Sequence, residues 1–262
     1  MNTEELVALL IPATYLVMLS IEQFGTGRRW PQIRFWRSQG IAFFVVLMTI
    51  NAILPALVPP QLAQYHLFDG ARLGVAGGAL VGYFVVSLAN AALHRAYHRY
   101  DVLWRAVHQL HHSPQRLDIS GGVYFTPLEM VNNALVFLVV TVFLLGLGPV
   151  AAAVCGYIAT FYGLFQHFNV RTPRWAGYLI QRPESHNVHH RRGFHAYNYS
   201  DLPLWDMLWG TFRNPREFHG EVGFEHEPSR RTGAMPRKRK KRRLQKKKSR
   251  RSHRSTKICC AA

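Results

Sequence analysis

Histidines carry the chemistry in this sequence, because of where they recur. Residues 94–112 hold five of the chain's 14 histidines: His94 and His98 in "HRAYH", then His108, His111 and His112 in "HQLHH". The second pattern returns as "HNVHH" with His186, His189 and His190. On a helix, separations of three and four residues bring side chains onto one face with neighbouring Cβ atoms ~5–6 Å apart, a spacing at which imidazoles converge on metal ions. His167, in "QHFN", would add a ninth nitrogen from a fourth direction. The isolated His66, His195, His219, His226 and His253 read as ordinary interfacial residues.

Eight or nine nitrogens exceed what one ion uses and suit two. No cysteine lies near the clusters, which argues against the usual structural zinc sites. Imidazole accommodates zinc, copper, iron and nickel alike. "HRAYH" lacks the glutamate that follows the first histidine in zinc metalloproteases. A pair of irons just beneath a bilayer would suit activation of dioxygen against an unreactive lipid C–H bond.

The elements that must position these residues are apolar blocks. Residues 6–21, 40–58 and 73–93 contain no Asp, Glu, Lys or Arg, and each approaches the ~20 residues that cross a bilayer as helix. Residues 130–170 are uncharged too. At ~1.5 Å per residue that block is twice a ~30 Å hydrocarbon core, so it must fold back. "GLGP", residues 146–149, is the helix-breaking cluster near its middle,. "SLANAAL" ahead of His94 reads as a helix continuing out of the bilayer. The N-terminus carries Glu4 and Glu5 rather than a basic cluster, so the first apolar run is expected to remain as a membrane helix.

Arg28, Arg29, Arg34 and Arg37 lie between the first two blocks, whereas residues 61–72 hold a single Arg. The positive-inside bias then places that first loop in the cytoplasm and the N-terminus outside. Counting onward, every clustered histidine falls on the cytoplasmic side, where Arg95, Arg99, Arg105 and Arg116 agree.

A net charge of +18 suggests nucleic acid, but residues 230–257 hold 16 of the 32 basic residues and no acid. The rest is nearly neutral, with 16 basic against 14 acidic residues. The tail also holds every lysine, and with few apolar residues it is expected to be disordered. No aromatic interleaving or fold motif supports specific nucleic-acid recognition. Cys155, in an apolar block, and Cys259 and Cys260 at the end do not form a disulfide framework,.

The ordered set "HRAYH", "HQLHHSP", "TPLE", "QHFNV", "HNVHH" and "YNYSDLPLWDMLWGTF" resembles the fatty acid hydroxylase and sterol desaturase superfamily of membrane-bound di-iron oxygenases, over roughly residues 88–212. The resemblance implies di-iron ligand roles for His94, His98, His108, His111, His112, His186, His189 and His190, joined by His167. It also implies dioxygen as co-substrate, a lipid substrate and an external electron-transfer protein, since no ferredoxin, flavin or haem motif is visible. Many relatives read His-Pro-Leu-Glu where this chain has Thr126-Pro-Leu-Glu129. Glu129, Asn198, Asp201 and Asp206 match polar family positions that would orient ligand imidazoles, with turn and cap chemistry an equal reading for the last three. Trp205 and Trp209 read as interfacial anchors.

The expectation is therefore an all-α integral membrane helical bundle of about five spans. A cytoplasmic helical cap would carry a histidine-rich di-metal site. Residues 1–229 would form the lipid-hydroxylating or desaturating domain and residues 230–262 a basic tail. The other class is a non-catalytic membrane metal-binding or scaffold protein, against which the completeness of the boxes argues.

Overall fold

The computed structural model describes residues 1–25 and 27–224; the basic tail, with His226, His253, Cys259 and Cys260, lies outside the described residues. Within them the chain is helical, and its one β-feature is an isolated bridge between Arg191 and Val222. Five longer helices form the bundle: α1 (Thr3–Ile21), α2 (Trp36–Ala56), α3 (Gly74–Arg99), α4 (Pro127–Leu138, continued by the π-helical turn Val139–Leu144) and α5 (Pro149–Phe165). Two short ones, α6 (Pro183–His189) and α7 (Pro203–Leu208), follow α5.

Four helical stretches are long and apolar enough to cross a membrane: Thr3–Phe24, Trp36–Ala56, Gly70–Arg99 and Pro127–Leu144; Pro149–Phe165 is apolar but shorter. Against an expected five spans this gives four, plus one of ~25 Å. The 41-residue uncharged block does fold back where expected. Gly146 takes φ +57°, a left-handed conformation open to glycine,, and Pro149 starts α5 at its first turn,.

Side-chain exposure matches a lipid environment. Leu9, Leu10, Leu16 and Val17 on α1, Val45, Val46 and Ile53 on α2, and Leu80, Phe84 and Leu88 on α3 all face outward. Contiguous apolar surface on this scale is untenable in water. Inside, Tyr15 and Phe44 stack at 4.1 Å between ring centroids, joining α1 to α2. Close approach of α3 and α5 depends on small residues: a Cβ on Gly82 would meet Cys155 Sγ at 3.1 Å and Leu147 Cδ1 at 2.7 Å,.

Successive helices alternate in direction. At one end, Leu67 N and Gly70 N donate to Phe143 O and Leu145 O. At the other, the Glu22 carboxylate accepts from Asn169 N at 2.7 Å and Ile119 N at 3.1 Å, tying the end of α1 to that of α5. All the histidine boxes gather at this second end. With 26 residues, α3 is ~39 Å long, more than a ~30 Å hydrocarbon core requires.

One tryptophan expectation is corrected. Trp205 is buried and its Nε1 donates to Ser87 Oγ at 2.9 Å, bolting α7 onto α3; the fold turns it inward because Ser87 offers its indole N–H a buried acceptor. Trp209 is half-buried under Arg95, 5.3 Å from guanidinium to ring.

Candidate metal centre

Four segments deliver the imidazoles. His94 and His98 occupy the last turns of α3. The π-helical turn Trp104–His108 presents His108, and His111 and His112 follow in the succeeding turn. A π-turn widens the helix at one point and is frequent at functional sites. His167 closes the end of α5, packed so tightly on Gly122 that a Cβ there would meet His167 Cβ at 2.9 Å. His186 and His189 lie on α6 and His190 ends it. Arg182, fully buried at the start of α6, anchors that helix through Thr172 O (2.8 Å), Asn214 Oδ1 (2.7 Å) and Glu184 (3.1 Å).

Nine histidines converge in two sets. His94, His98, His108, His112 and His189 form one, and His111, His167, His186 and His190 the other; within each, the candidate ligand atoms lie within 4.8 Å of one another. The contacts are between Nε2 atoms: His98 to His94 at 3.2 Å, His112 to His108 at 3.0 Å and to His189 at 3.1 Å. In the second set, His167 reaches His111 at 3.2 Å and His186 at 3.1 Å, and His190 reaches His186 at 3.0 Å.

The opposite ring nitrogens fix the tautomers. His94 Nδ1 donates to Tyr199 O (2.6 Å), His189 Nδ1 to Tyr197 O (2.7 Å), His167 Nδ1 to Gly163 O (2.9 Å) and His108 Nδ1 to Glu129 Oε1 (2.5 Å). A carbonyl only accepts, so the Nδ1 atoms of His94, His167 and His189 carry the proton and their Nε2 atoms a bare lone pair; an ionised Glu129 holds the His108 proton on Nδ1 in the same way. His112 Nε2 lies against the lone pairs of both His108 and His189, and one N–H cannot satisfy two acceptors. A cation between the nitrogens removes the conflict. Bonds of ~2.1 Å at right angles set cis nitrogens ~3 Å apart, which is the spacing found, so the residues fit a bound metal in each set.

Burial tunes the same groups. Loss of water lowers the His167 imidazole from its ordinary 6.5 to about 4, and desolvation, helped by neighbouring imidazoles, holds His108, His111, His112, His186, His189 and His190 well below 6.5,. Neutral imidazole is the metal-binding form. The sign of the pH effect follows. In metal-free protein the unfolded histidines take up protons as pH falls through 6.5 while the folded ones resist, so stability is complete above 6.5 and drains away toward about 4,. Thermal unfolding of the metal-free protein at pH 8, 6.5 and 5 should show a falling midpoint; a flat profile would contradict this burial.

A strained loop holds the carbonyls in place. His195, Tyr197 and Asn198 take φ of +43°, +66° and +47°, conformations unusual for residues with a Cβ. Asn198 secures them: Nδ2 donates to Ser185 O (2.7 Å) and Arg213 O (2.9 Å), and Oδ1 accepts from Arg213 N (2.7 Å). Asp206 accepts from Tyr199 N (3.0 Å), Ser200 N (2.8 Å) and Thr211 Oγ1 (2.6 Å). Neither touches an imidazole; both fix the loop whose carbonyls do. Asp201 sits further out, accepting from Leu202 N (3.0 Å) and Tyr83 OH (3.4 Å), and burial raises its carboxyl to about 6. Glu129 alone of these four contacts a clustered histidine directly.

Thr126 has its own use. Its hydroxyl caps α4, accepting from Glu129 N (3.1 Å), and donates to Val107 O (2.9 Å),. It thereby ties the helix bearing Glu129 to the turn bearing His108.

His195 is not the ordinary interfacial residue that its isolation suggested. Its Nδ1 lies 3.2 Å from His112 Nδ1, yet it stands five residues beyond His190 with no helical spacing to mark it, and only the strained loop brings it inward. Gln181 is a further partner: its amide lies between His186 Nδ1 (3.3 Å) and Asn198 O (2.8 Å), with nothing in its neighbourhood to announce it. His219 is exposed beside Glu217, and His66 lies at the far end, near Gly146.

A cavity of about 510 Å³ opens from the imidazoles into the bundle. His94, His108, His111, His167 and His186 form its floor, and Ala8, Pro55, Val142 and Ala152 line the opposite end. From Glu129 to Val142, thirteen positions further on, its wall follows α4 and its continuation for ~20 Å.

Comparison with known proteins agrees with this arrangement. The chain is 28% identical over 160 residues to an ornithine lipid hydroxylase, OlsE, of Rhizobium tropici, covering 60% of this chain and 48% of that protein. It thus spans about half the length of that relative. It is 26% identical over 206 residues to the very-long-chain aldehyde decarbonylase GL1-9 of Oryza sativa, covering 72% of this chain and 71% of that one. No solved structure matches. Residues 79–211 match the fatty acid hydroxylase family, a stretch from early in α3 to just past α7 that takes in every imidazole of both sets, and on that match the chain belongs to the fatty acid hydroxylase family.

Proposed function

We propose that this protein is a dioxygen-dependent di-iron oxidoreductase that hydroxylates or desaturates a membrane lipid, with electrons from an external carrier protein. The observation that carries the reading is the floor of the cavity: imidazoles of both sets line an apolar chamber that runs through the membrane-spanning helices. A scaffold that only stored metal would have no use for such a chamber. Membership in the family, and relatives named for an ornithine lipid and for very-long-chain aldehydes, support the same reading.

The irons, when bound, supply reduction of dioxygen with two external electrons and two protons, one oxygen atom entering a C–H bond and the other leaving as water. The chain's own residues do the rest. His94, His98, His108, His112 and His189 would hold one ion, and His111, His167, His186 and His190 the other. Tyr197 O, Tyr199 O, Gly163 O and Glu129 keep the ring protons on Nδ1, so that each Nε2 stays a ligand. The bundle excludes water and aligns the chain of the lipid with the floor, where sub-ångström placement separates hydroxylation from desaturation. Residues 1–229 would contain all of this, the basic tail being dispensable.

Incubating purified, iron-loaded protein with a lipid extract under isotopically labelled dioxygen tests the reading: mass gain or loss of two hydrogens in a specific lipid is expected, and an unchanged lipidome with metal bound would refute it. The cavity adds a second expectation. Ala153→Phe, at its far end, should cut turnover of the longest acyl chains by ~10-fold or more and spare shorter ones, as filling a pocket by a few methylenes does; equal loss across lengths would count against a lipid tail lying there. The arginine bias supports a floor on the cytoplasmic side. A cysteine introduced at Gln64 should react with an impermeant reagent on intact cells and one at Gln115 should not, the reverse pattern inverting the topology.

A further inference from the structure

The five long helices make an open ring around the cavity. α1 packs on α5, α5 on α3, α3 on α4 and α4 on α2, whereas α1 and α2 have little backbone contact with each other. Toward the floor this seam is filled. The short helix Ile119–Gly122 touches both helices there, a Cβ on Gly40 would meet Ser120 Cβ at 2.5 Å, and the stacked rings of Tyr15 and Phe44 bridge the two sides. Further along, the seam opens. Among the described residues that line the cavity, Ala8 on α1 and Asn51 and Pro55 on α2 are exposed, and the others are buried or half-buried. The floor ends of the two helices meet at one point, Trp36 Nε1 donating to Asp118 Oδ1 (2.8 Å) and Ile119 N to Glu22 Oε1 (3.1 Å). From there Ala8 stands ~20 Å along α1 and Asn51 ~22 Å along α2, so the two rims are level.

We propose that the seam between α1 and α2 is the entrance through which an acyl tail passes sideways from the bilayer into the cavity. The inference rests on the reading of the cavity as the lipid's chamber, and it adds where the substrate comes from. The rims suit a tail. Asn51 Nδ2 is spent on Leu47 O at 2.8 Å,, and Leu9, Leu10 and Ile53 beside the mouth face outward, so a hydrocarbon chain meets apolar surface on both sides. Both helices are also weakened at this level. Pro12 lies within α1 and Pro55 within α2, and a proline has no N–H to donate to the carbonyl four residues earlier. Those carbonyls belong to Ala8 and Asn51, the rim residues themselves. An acyl chain arriving from the other end would have to pass the floor, where Gly122 and His167 are packed too closely for one added Cβ. The substrate class is therefore a lipid resident in the membrane, rather than an acyl chain handed over from water by a soluble carrier.

The test uses the full chain with its metals in lipid nanodiscs. A long-chain fatty acid carrying a small alkyl diazirine in mid-chain is mixed in from vesicles, the sample is flashed after increasing delays, and adducts on the chamber residues Phe137 and Thr160 are followed by mass spectrometry. Ala8→Trp and Asn51→Trp should slow the appearance of these adducts ~10-fold or more, because passage between packed helices is a gating step. Leu80→Trp and Val139→Trp, on the lipid-facing surfaces of α3 and of the continuation of α4, should leave it unchanged. Met48→Ala, which removes a half-buried side chain from the seam, should hasten it, and a merely disruptive substitution does not give opposite effects on one rate. Native kinetics in metal-loaded Ala8 and Asn51 variants, or equal slowing by the Leu80 and Val139 variants, overturns the proposal; should either mouth variant fail to fold, unchanged kinetics in Met48→Ala overturns it too. The parent reading fails differently. Interior adducts that respond to the mouth, with no lipid oxidised under labelled dioxygen, would refute the oxygenase and leave the entrance standing. An absence of interior adducts in the native protein would refute the chamber and the entrance together.

Discussion

His189→Ala is expected to remove one metal ion and eliminate lipid oxidation, with loss of at least ~100-fold, while the protein still inserts into the membrane. His189 is fully buried, its Nδ1 is held by Tyr197 O, and its Nε2 meets His112 Nε2 at 3.1 Å in the five-membered set. Losing an outer partner of a metal ligand costs ~10–100-fold, so losing the ligand should cost more. His111→Ala tests the other set in the same way, because its Nε2 meets His167 Nε2 at 3.2 Å. The apolar faces of the spanning helices are untouched by either change. The check is lipid turnover together with elemental analysis of each variant, and retained activity in both would show that the imidazoles are not the metal site.

Glu129 carries the second large effect, through a contact that it makes rather than through the metal itself. His108 Nδ1 donates to its Oε1 at 2.5 Å, and both side chains are almost completely buried. Glu129→Leu leaves the imidazole free to rotate and to place its proton on the nitrogen that should bind metal. The expected cost is ~10–100-fold in metal affinity and turnover. Glu129→Gln keeps an oxygen at the same position and should recover most of that loss. If both variants matched the native protein in metal binding measured by chelator competition, Glu129 would have no part in fixing His108.

How much of this was legible beforehand depended on periodicity. His94 and His98, the two His-x-x-His-His boxes and the uncharged blocks all repeat at helical or bilayer-length spacing, so the boxes, the fold-back near Gly146 and the helical class could be read directly. His167, without a repeat, could be placed only by its position at the end of an apolar run. The supporting shell was harder. Tyr197 and Tyr199 act through backbone carbonyls, which have no side-chain signature, and His195 reaches His112 from a loop in which three of the four positions 195–198 adopt left-handed φ. Trp205 looked interfacial because tryptophan usually is; only the fold shows a buried Ser87 hydroxyl waiting for its N–H. Asp201 and Asp206 are both polar family positions, and only contact geometry separates Asp206, which pins the Tyr199 loop, from Asp201, which meets Tyr83.

The ratio of metal to folded chain tests the central claim most directly. Protein purified from iron-replete cells, shown to be folded and monodisperse, should contain about two ions per chain, mostly iron, because two separate sets of converging nitrogens are present and each is built at the spacing of cis ligands. A ratio of one would mean that a single set binds and the other is structural. A ratio of none in folded protein, with exogenous iron failing to raise it, would contradict the account altogether.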